Sequence, residues 1–316
     1  NPERTITTTE VVRALELAKA SHMTSDHYLA SAVPLGFELD DATEWVHNPI
    51  NLSANSMTAH YQLMMLPIST MQNLDRAMKG ANIFVEKMVV SCLATAEGSL
   101  LKDEKEYGVC LLDIGAGTTN IAVYIEGHLV LAHTIQRGGE NVTRDIASVL
   151  QTTTEEAERL KLLYGCVDIH QVKPDHMIEF EAIDGPQSIS RIELSEIIIA
   201  RYEEILGMVR TELESRGALQ SLYHGVVLSG DVCQIEGMVT LSRRILGVSA
   251  HLGNPPLQVY AEDQHLPALR RSMYATATGL LLFSQSELQE SVEEPEEVGT
   301  RPFLDRVMNG WNALNN

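Results

Sequence analysis

Residues 107–135, YGVCLLDIGAGTTNIAVYIEGHLVLAHTI, constrain the fold more than any other stretch of the chain. They predict three consecutive strands, with Gly115-Ala116-Gly117 in the first turn and Glu126-Gly127 in the second. An apolar strand delivers Asp113 to a glycine-rich turn, and the chain then runs back along a second strand. Glycines let a backbone come close to phosphate, and the amides of such a turn can point at phosphate oxygens. Thr118 and Thr119 add hydroxyl donors and Asn120 closes the motif. Asp113 can hold a hydrated magnesium ion, which keeps several waters and takes few carboxylates. The same residues also read as a plain hairpin turn with a buried aspartate, and glycine spacing alone does not separate the two.

Strands and helices alternate around this hairpin, giving an α/β chain. A helix is expected over 5–20, where Thr7 and Glu10 form a capping-box pattern. Residues 28–39 and 57–68 read as extended runs with alternating apolar positions. A helix at 69–81, capped by Ser69 or Thr70, precedes a short strand leading into a helix within 83–100. Helices are expected at 140–150, 153–164 and 193–215. The stretch 166–192 is irregular, with a strand at 177–183. Residues 223–237 read as strand, glycine turn and helix start, the helix running on to 246. A strand at 248–252 and a helix at 269–284 complete the folded part.

Two further features carry chemistry. In 226-VVLSGDVCQIEGM-238 a hydrophobic strand ends at Gly230-Asp231, which open onto a helix. Strand ends of this kind are where α/β sheets bind ligands, although many ordinary loops also contain glycine. On the helix 153-TTEEAERLKLLYG-165, Glu158 and Lys161 share one face. Such a pair can hydrogen-bond ribose hydroxyls, or can be a solvated surface ion pair.

Composition removes several functions. The formal net charge is −20, from 43 acidic and 23 basic residues, so nucleic acid is not a partner: phosphate contacts need clustered Lys and Arg. Cys92, Cys110, Cys166 and Cys233 lie far apart, without metal-ligand spacing, and read as reduced and buried. No apolar run approaches the roughly 18 residues of a membrane span, and no signal peptide precedes the first helix. The chain opens on Asn1 without methionine, as a fragment would.

The C-terminal end differs in character. Residues 285–300, QSELQESVEEPEEVGT, hold six glutamates and read as a disordered acidic linker. In 301-RPFLDRVMNGWNALNN-316, helical spacing puts Phe303, Leu304, Val307, Met308, Trp311 and Leu314 within an arc of roughly 140°. A helix of this kind on a flexible linker suits an in-plane membrane anchor. It also suits a helix that docks on its own or a partner domain.

The hairpin, the Glu–Lys helix and the second glycine loop, in this order, match the second half of an actin-like ATPase fold (ribonuclease H-like). Within that fold the chain resembles the FtsA family of cell-division proteins. The stretches that carry the resemblance are 108–124, GGENVTRDIA (138–147), EEAERLKLLYGCV (155–167), LSEIIIARYEEIL (194–206), 225–238 and SMYATATGLLLF (272–283). The resemblance implies ATP and Mg2+ as cofactors, and actin-like filaments of the chain with itself. It implies a tether from the C-terminal tail of the ring protein FtsZ to the cytoplasmic face of the bacterial inner membrane at the division site, and recruitment of later division membrane proteins. It makes residues 1–68 a partial 1C subdomain (SHS2-like) and 69–105 a returning part of 1A. Residues 106–152 and 222–284 become the nucleotide-binding 2A, and 153–221 become 2B. Within 2B, Arg191, Arg201 and Tyr202 stand where the FtsZ tail would bind, although they also read as ordinary surface residues. The terminal helix becomes the membrane anchor.

The chain also departs from that pattern. An actin-type fold has two phosphate hairpins, and this sequence carries one, so most of the first lobe is missing. Asn120 stands where family members often have Asp, and Gly230-Asp231 replaces a pair or triplet of glycines. Together these imply weak ATP binding, a weak ATPase at most, and a mainly structural role with no evident catalytic base. Two other readings of the same fold stay open: a type IV pilus assembly adaptor, and a sugar or acyl kinase.

Overall fold

The computed structural model describes residues 5–40, 42, 45–85, 88–173, 175–253 and 272–292. The terminal helix expected at 301–316, with Phe303, Leu304, Val307, Met308, Trp311 and Leu314, lies outside the described residues, as does the second half of the acidic linker. The described residues form two compact units, one ending at Ser91 and one running from Cys92 to Ser284.

In the first unit, helix α1 (Thr8–His22) begins at the expected capping box. The Thr7 amide donates to Glu10 Oε2 at 2.9 Å. Strands β1 (His27–Leu39) and β2 (Met57–Pro67) pair antiparallel, with bulges between Leu29 and Ser31 and between Pro34 and Gly36. Alternation sends one face of the pair against α1, around Val11, Leu15, Ala32 and Phe37. Helix α2 (Ile68–Gly80) follows directly after Pro67. Neither Ser69 nor Thr70 caps it, because the helix starts at Ile68 and leaves both inside its first turn. The strand expected after residue 83 is absent among the described residues.

The second unit is built on a five-stranded sheet in the order β5-β4-β3-β8-β9. Its strands are β3 (Val109–Ile114), β4 (Thr119–Ile125), β5 (His128–Ile135), β8 (Val226–Ser229) and β9 (Ala250–Leu252). The first three form the antiparallel run read from the sequence, and β8 joins β3 in parallel, aligning Asp113 with Ser229. Every residue of β3 is buried, as expected of a central strand covered on both faces. Helices α3 (Ser91–Glu97) and α4 (Lys102–Tyr107) precede β3. Helices α5 (Gly139–Leu150) and α6 (Thr154–Tyr164) follow β5. A hairpin, β6 (Met177–Ala182) and β7 (Gly185–Ser190), comes next. Helix α7 (Arg191–Ser215) is started by Ser190 and Glu193 in a capping box. Helices α8 (Met238–Leu246) and α9 (Ala275–Val292) complete the unit, the last residues of α9 lying beyond it.

The segment 69–105 is divided, since α2 belongs to the first unit and α4 to the second. The segment 153–221 has no core of its own. Leu194, Ile198, Tyr202, Ile205, Val209 and Leu213 on α7 enter the same core as Leu112 on β3 and Leu228 on β8. Helices α3 and α9 also meet without side chains between them. A Cβ on Gly98 would stand 1.8 Å from the carbonyl oxygen of Ala275, and one on Gly279 1.7 Å from that of Ala94.

Candidate functional site

The C-terminal end of β3 gathers most of the residues singled out in the sequence. Asp113 is 9% exposed. Thr95 Oγ1 on α3 donates to its Oδ2 at 3.3 Å. Asn120 lies directly across the ladder. Its Oδ1 accepts from Thr134 at 2.9 Å, which turns its amide group to donate to Asp113. An aspartate at position 120 would instead face Asp113 with like charge. Burial pushes the Asp113 carboxyl above the ordinary range, and the bonds from Asn120 and Thr95 pull against that. A cation at this strand end would hold Asp113 ionised.

The turn after β3 closes with the Gly115 amide on the Thr118 carbonyl at 2.9 Å. Among the described residues, the amides of Ala116 and Gly117 have no partner, and both residues are exposed. Neither Gly115 nor Gly117 has a positive φ. A Cβ on Gly117 would meet nothing within 4 Å, and one on Gly115 would meet only the Thr118 carbonyl, at 3.5 Å. Glycine here answers no demand of the fold, and it leaves a bare, open cradle of amides. Thr119 serves otherwise than the sequence suggested. It is fully buried, and its hydroxyl donates to the Arg137 carbonyl at 2.9 Å, so it is no ligand donor. Thr118 remains half-buried beside the cradle.

The cradle is held from behind by the start of α5. The Gly139 amide donates to the Gly115 carbonyl at 3.0 Å, and the Glu140 amide to that of Ala116 at 2.8 Å. The second glycine loop touches the same strand end. Gly230 has φ +90°, and a Cβ there would come within 2.4 Å of the Ile114 carbonyl oxygen and 3.0 Å of Asp113 Oδ1. Asp231 is exposed and accepts from Gln234 at 3.3 Å within its own turn.

Glu158 and Lys161 join this assembly through Gly139. Lys161 Nζ reaches the Gly139 carbonyl at 3.2 Å, Thr143 Oγ1 at 2.8 Å and Glu158 Oε2 at 2.7 Å. The three sequence motifs are thus brought together around one residue, Gly139. Thr95, Thr143 and the Gly138-Gly139 pair were not among the residues singled out.

Arg191, Arg201 and Tyr202 are not one exposed patch. Tyr202 is 1% exposed and part of the core, which corrects its reading as a contact residue. Its spacing from Ile198, Leu206 and Val209 is the helical signal that marks it as inward-facing. Arg191 donates to the Tyr164 carbonyl at 2.9 Å and to Glu236 at 2.5 Å. Arg201 grips both oxygens of Asp145, at 2.6 and 2.8 Å, and also pairs with Glu204. No group of three or more His, Cys, Asp or Glu able to hold a metal occurs among the described residues. None of the described helices is long and apolar enough to cross a membrane.

The profile described as "Cell division protein FtsA" matches residues 110–279, more than half of the chain. The cell division protein FtsA of Escherichia coli K12 is 31% identical over 325 residues, covering 98% of this chain and 75% of that protein. The chain belongs to the FtsA family. FtsA of Pseudomonas aeruginosa is 30% identical over 283 residues, covering 89% of this chain and 67% of that protein. Solved structures place this FtsA-family chain in the actin-like α/β ATPase fold. A protein of the PilM–PilN type IV pilus biogenesis complex superimposes with a TM-score of 0.61, at 18% identity, over 87% of this chain and 71% of its own. MreB5 of Spiroplasma citri, bound to ADP, gives 0.56, also at 18% identity, over 71% and 67%. At these identities the likeness shows the fold alone.

Proposed function

We propose that this FtsA-family chain binds ATP with Mg2+ at the end of β3 and acts as a filament-forming adaptor in cell division. The reading rests on the open glycine cradle at 115–118, which converges with Asp113 and Gly230 on one strand end. Amides at the cradle would receive phosphate oxygens. Asp113 would hold a hydrated magnesium ion, which needs few protein carboxylates; the bound ion would neutralise charge on the phosphates. Thr95 and Asn120 orient the Asp113 carboxylate for that task. The MreB5 structures, one bound to ADP and one to AMPPNP, support a nucleotide on this fold. Any ATPase activity would be weak.

The family supports the finer role: a tether between the FtsZ C-terminal tail and the cytoplasmic face of the inner membrane, recruiting later division proteins. An acidic tail would engage Arg191 and Arg201 by displacing Glu236 and Asp145 from them, with Tyr202 fixing α7 from inside. The terminal segment 301–316 would supply the membrane contact. Three experiments test nucleotide and tether. Titration with fluorescent ATP and Mg2+ should show saturable binding. The FtsZ C-terminal peptide should retain the chain in a pull-down. Deleting 301–316 should abolish flotation with anionic liposomes. Failure to bind nucleotide, peptide or lipid overturns the corresponding part.

A further inference from the structure

Thr143 lies on α5, 3% exposed, outside every motif that marked the site. Its hydroxyl accepts from Lys161 Nζ at 2.8 Å and donates to Glu158 Oε2 at 2.5 Å. The Gly139 carbonyl, at 3.2 Å, is the other acceptor in reach. A hydroxyl has one proton to give, and the nearer, charged acceptor is the stronger.

Lys161 is the other half of the arrangement. An ammonium has three N–H donors and no acceptor. Its three contacts, with Gly139, Thr143 and Glu158, use all of them. The side chain is also only 10% exposed. Lys161 therefore has nothing left to offer a ligand, and its work is to hold Glu158.

Glu158 is different. Its side chain is 41% exposed, and among the described contacts only Oε2 is engaged. Burial raises its pKa, but the bonds from Lys161 and Thr143 outweigh that and leave it lowered. An ionised carboxylate is acceptor-only, so Oε1 remains as one fixed acceptor facing solvent. Gly139 links this acceptor to the cradle, taking Lys161 on its carbonyl and giving its amide to Gly115. Two hydrogen bonds to one residue, Gly139, tie the two together. Together they would engage a ligand that carries phosphate at one end and a hydroxyl donor further along.

We propose that Thr143 is a positioning residue that fixes Glu158 as the acceptor for a sugar hydroxyl, and thereby sets a preference for ribonucleotides over deoxyribonucleotides. The inference rests on the nucleotide reading given above. Without the Thr143 hydroxyl, Glu158 would be held by Lys161 alone, and Lys161 would lose an acceptor. A site built to accept from a hydroxyl discriminates strongly against the analogue lacking it.

The test compares ATP, 2′-deoxyATP and 3′-deoxyATP, each with Mg2+, on the full chain and on Thr143→Val and Thr143→Ser. The wild-type chain should bind at least one deoxy analogue about 10-fold more weakly than ATP, the loss expected for one hydrogen bond to a charged group. Thr143→Val should weaken ATP by a similar factor while leaving the disfavoured analogue nearly unchanged, so that the ratio approaches one. Thr143→Ser should keep the wild-type ratio. Thermal melting of each variant separates a folding defect, which would weaken all three ligands alike. Equal binding of all three by the wild-type chain overturns the inference, as does a Val variant that keeps the ratio or a Ser variant that loses it. If the wild-type chain binds none of the three, the nucleotide reading itself fails and takes this inference with it.

Discussion

Gly115 and Gly117 at the tip of the hairpin stand beside Gly138 and Gly230, which pack against its base, yet the fold asks different things of the two pairs. At the base, a Cβ on Gly138 would lie 2.4 Å from the Gly115 carbonyl oxygen and 2.6 Å from that of Ala116. Gly230 adds a left-handed φ of +90° to its clash with Ile114. At the tip there is no positive φ and no backbone in the way. Glycine at the base is a packing requirement; glycine at the tip is spare room. Spare room next to a buried carboxylate is what a ligand site requires, and the contrast separates residues kept for stability from residues kept for binding.

Substitution at the base should have the largest effect. Gly230→Ala and Gly138→Ala should each cost on the order of 3 kcal/mol, from overpacking and, at Gly230, backbone strain. Thermal melting should register this as a drop of roughly 6–12 °C. A drop of only a degree or two would mean the backbone gives way easily, and the contrast would lose its footing.

Asp113, at the strand end shared by tip and base, should give the next effect, with opposite sign. A carboxyl whose folded pKa lies above its unfolded value adds stability that is fully present below the unfolded pKa and lost as pH rises through the folded one. Wherever Asp113 is ionised it is therefore a burden on the ligand-free chain. Asp113→Asn should raise its stability at pH 7–8 by about 1 kcal/mol, and the gain should fade as pH drops through the raised pKa. Melting curves across pH check this, and a gain that does not depend on pH would contradict it. The same variant should lose Mg2+-dependent nucleotide binding.

Gly117→Ala should have the smallest effect on stability, about 0.5 kcal/mol and stabilising, since alanine restricts the unfolded chain at a site where its methyl fits. Nucleotide affinity should nonetheless fall by about 10-fold, because the methyl occupies space meant for phosphate. A melt as damaged as that of Gly138→Ala would break the comparison outright.

The hairpin was legible in the sequence because several signals agree there: continuous apolar residues from Val109 to Leu112, then glycines at 115 and 117, then a second apolar run from Ile121 to Ile125. The other ligand elements were legible as types, but their meeting point was not. Only the three-dimensional contact through Gly139 shows that Lys161 spends its donors on protein rather than on sugar. Thr143 stands 15 residues from Glu158 in sequence and looks like any helix threonine. Strand β7, GPQSIS, has neither β-branched density nor alternation of apolar residues, and it is a strand only because β6 pairs with it. Tyr202 is a different case, since its periodicity pointed inward and the expected partner site outweighed it.

Where α3 and α9 cross at Gly98 and Gly279, main chain rests on main chain. A joint without side chains has no rotamers to absorb a disturbance. It cannot loosen by degrees, and any residue larger than glycine at position 98 or 279 acts as a wedge. Thr95 and Thr276 bridge the same two helices at 2.7 Å, and Thr95 also bonds Asp113. The carboxylate at the heart of the site is thus bolted to this seam. A shift of that seam would reach Asp113 undamped, and a change at Asp113 would be felt at the first turn of α9.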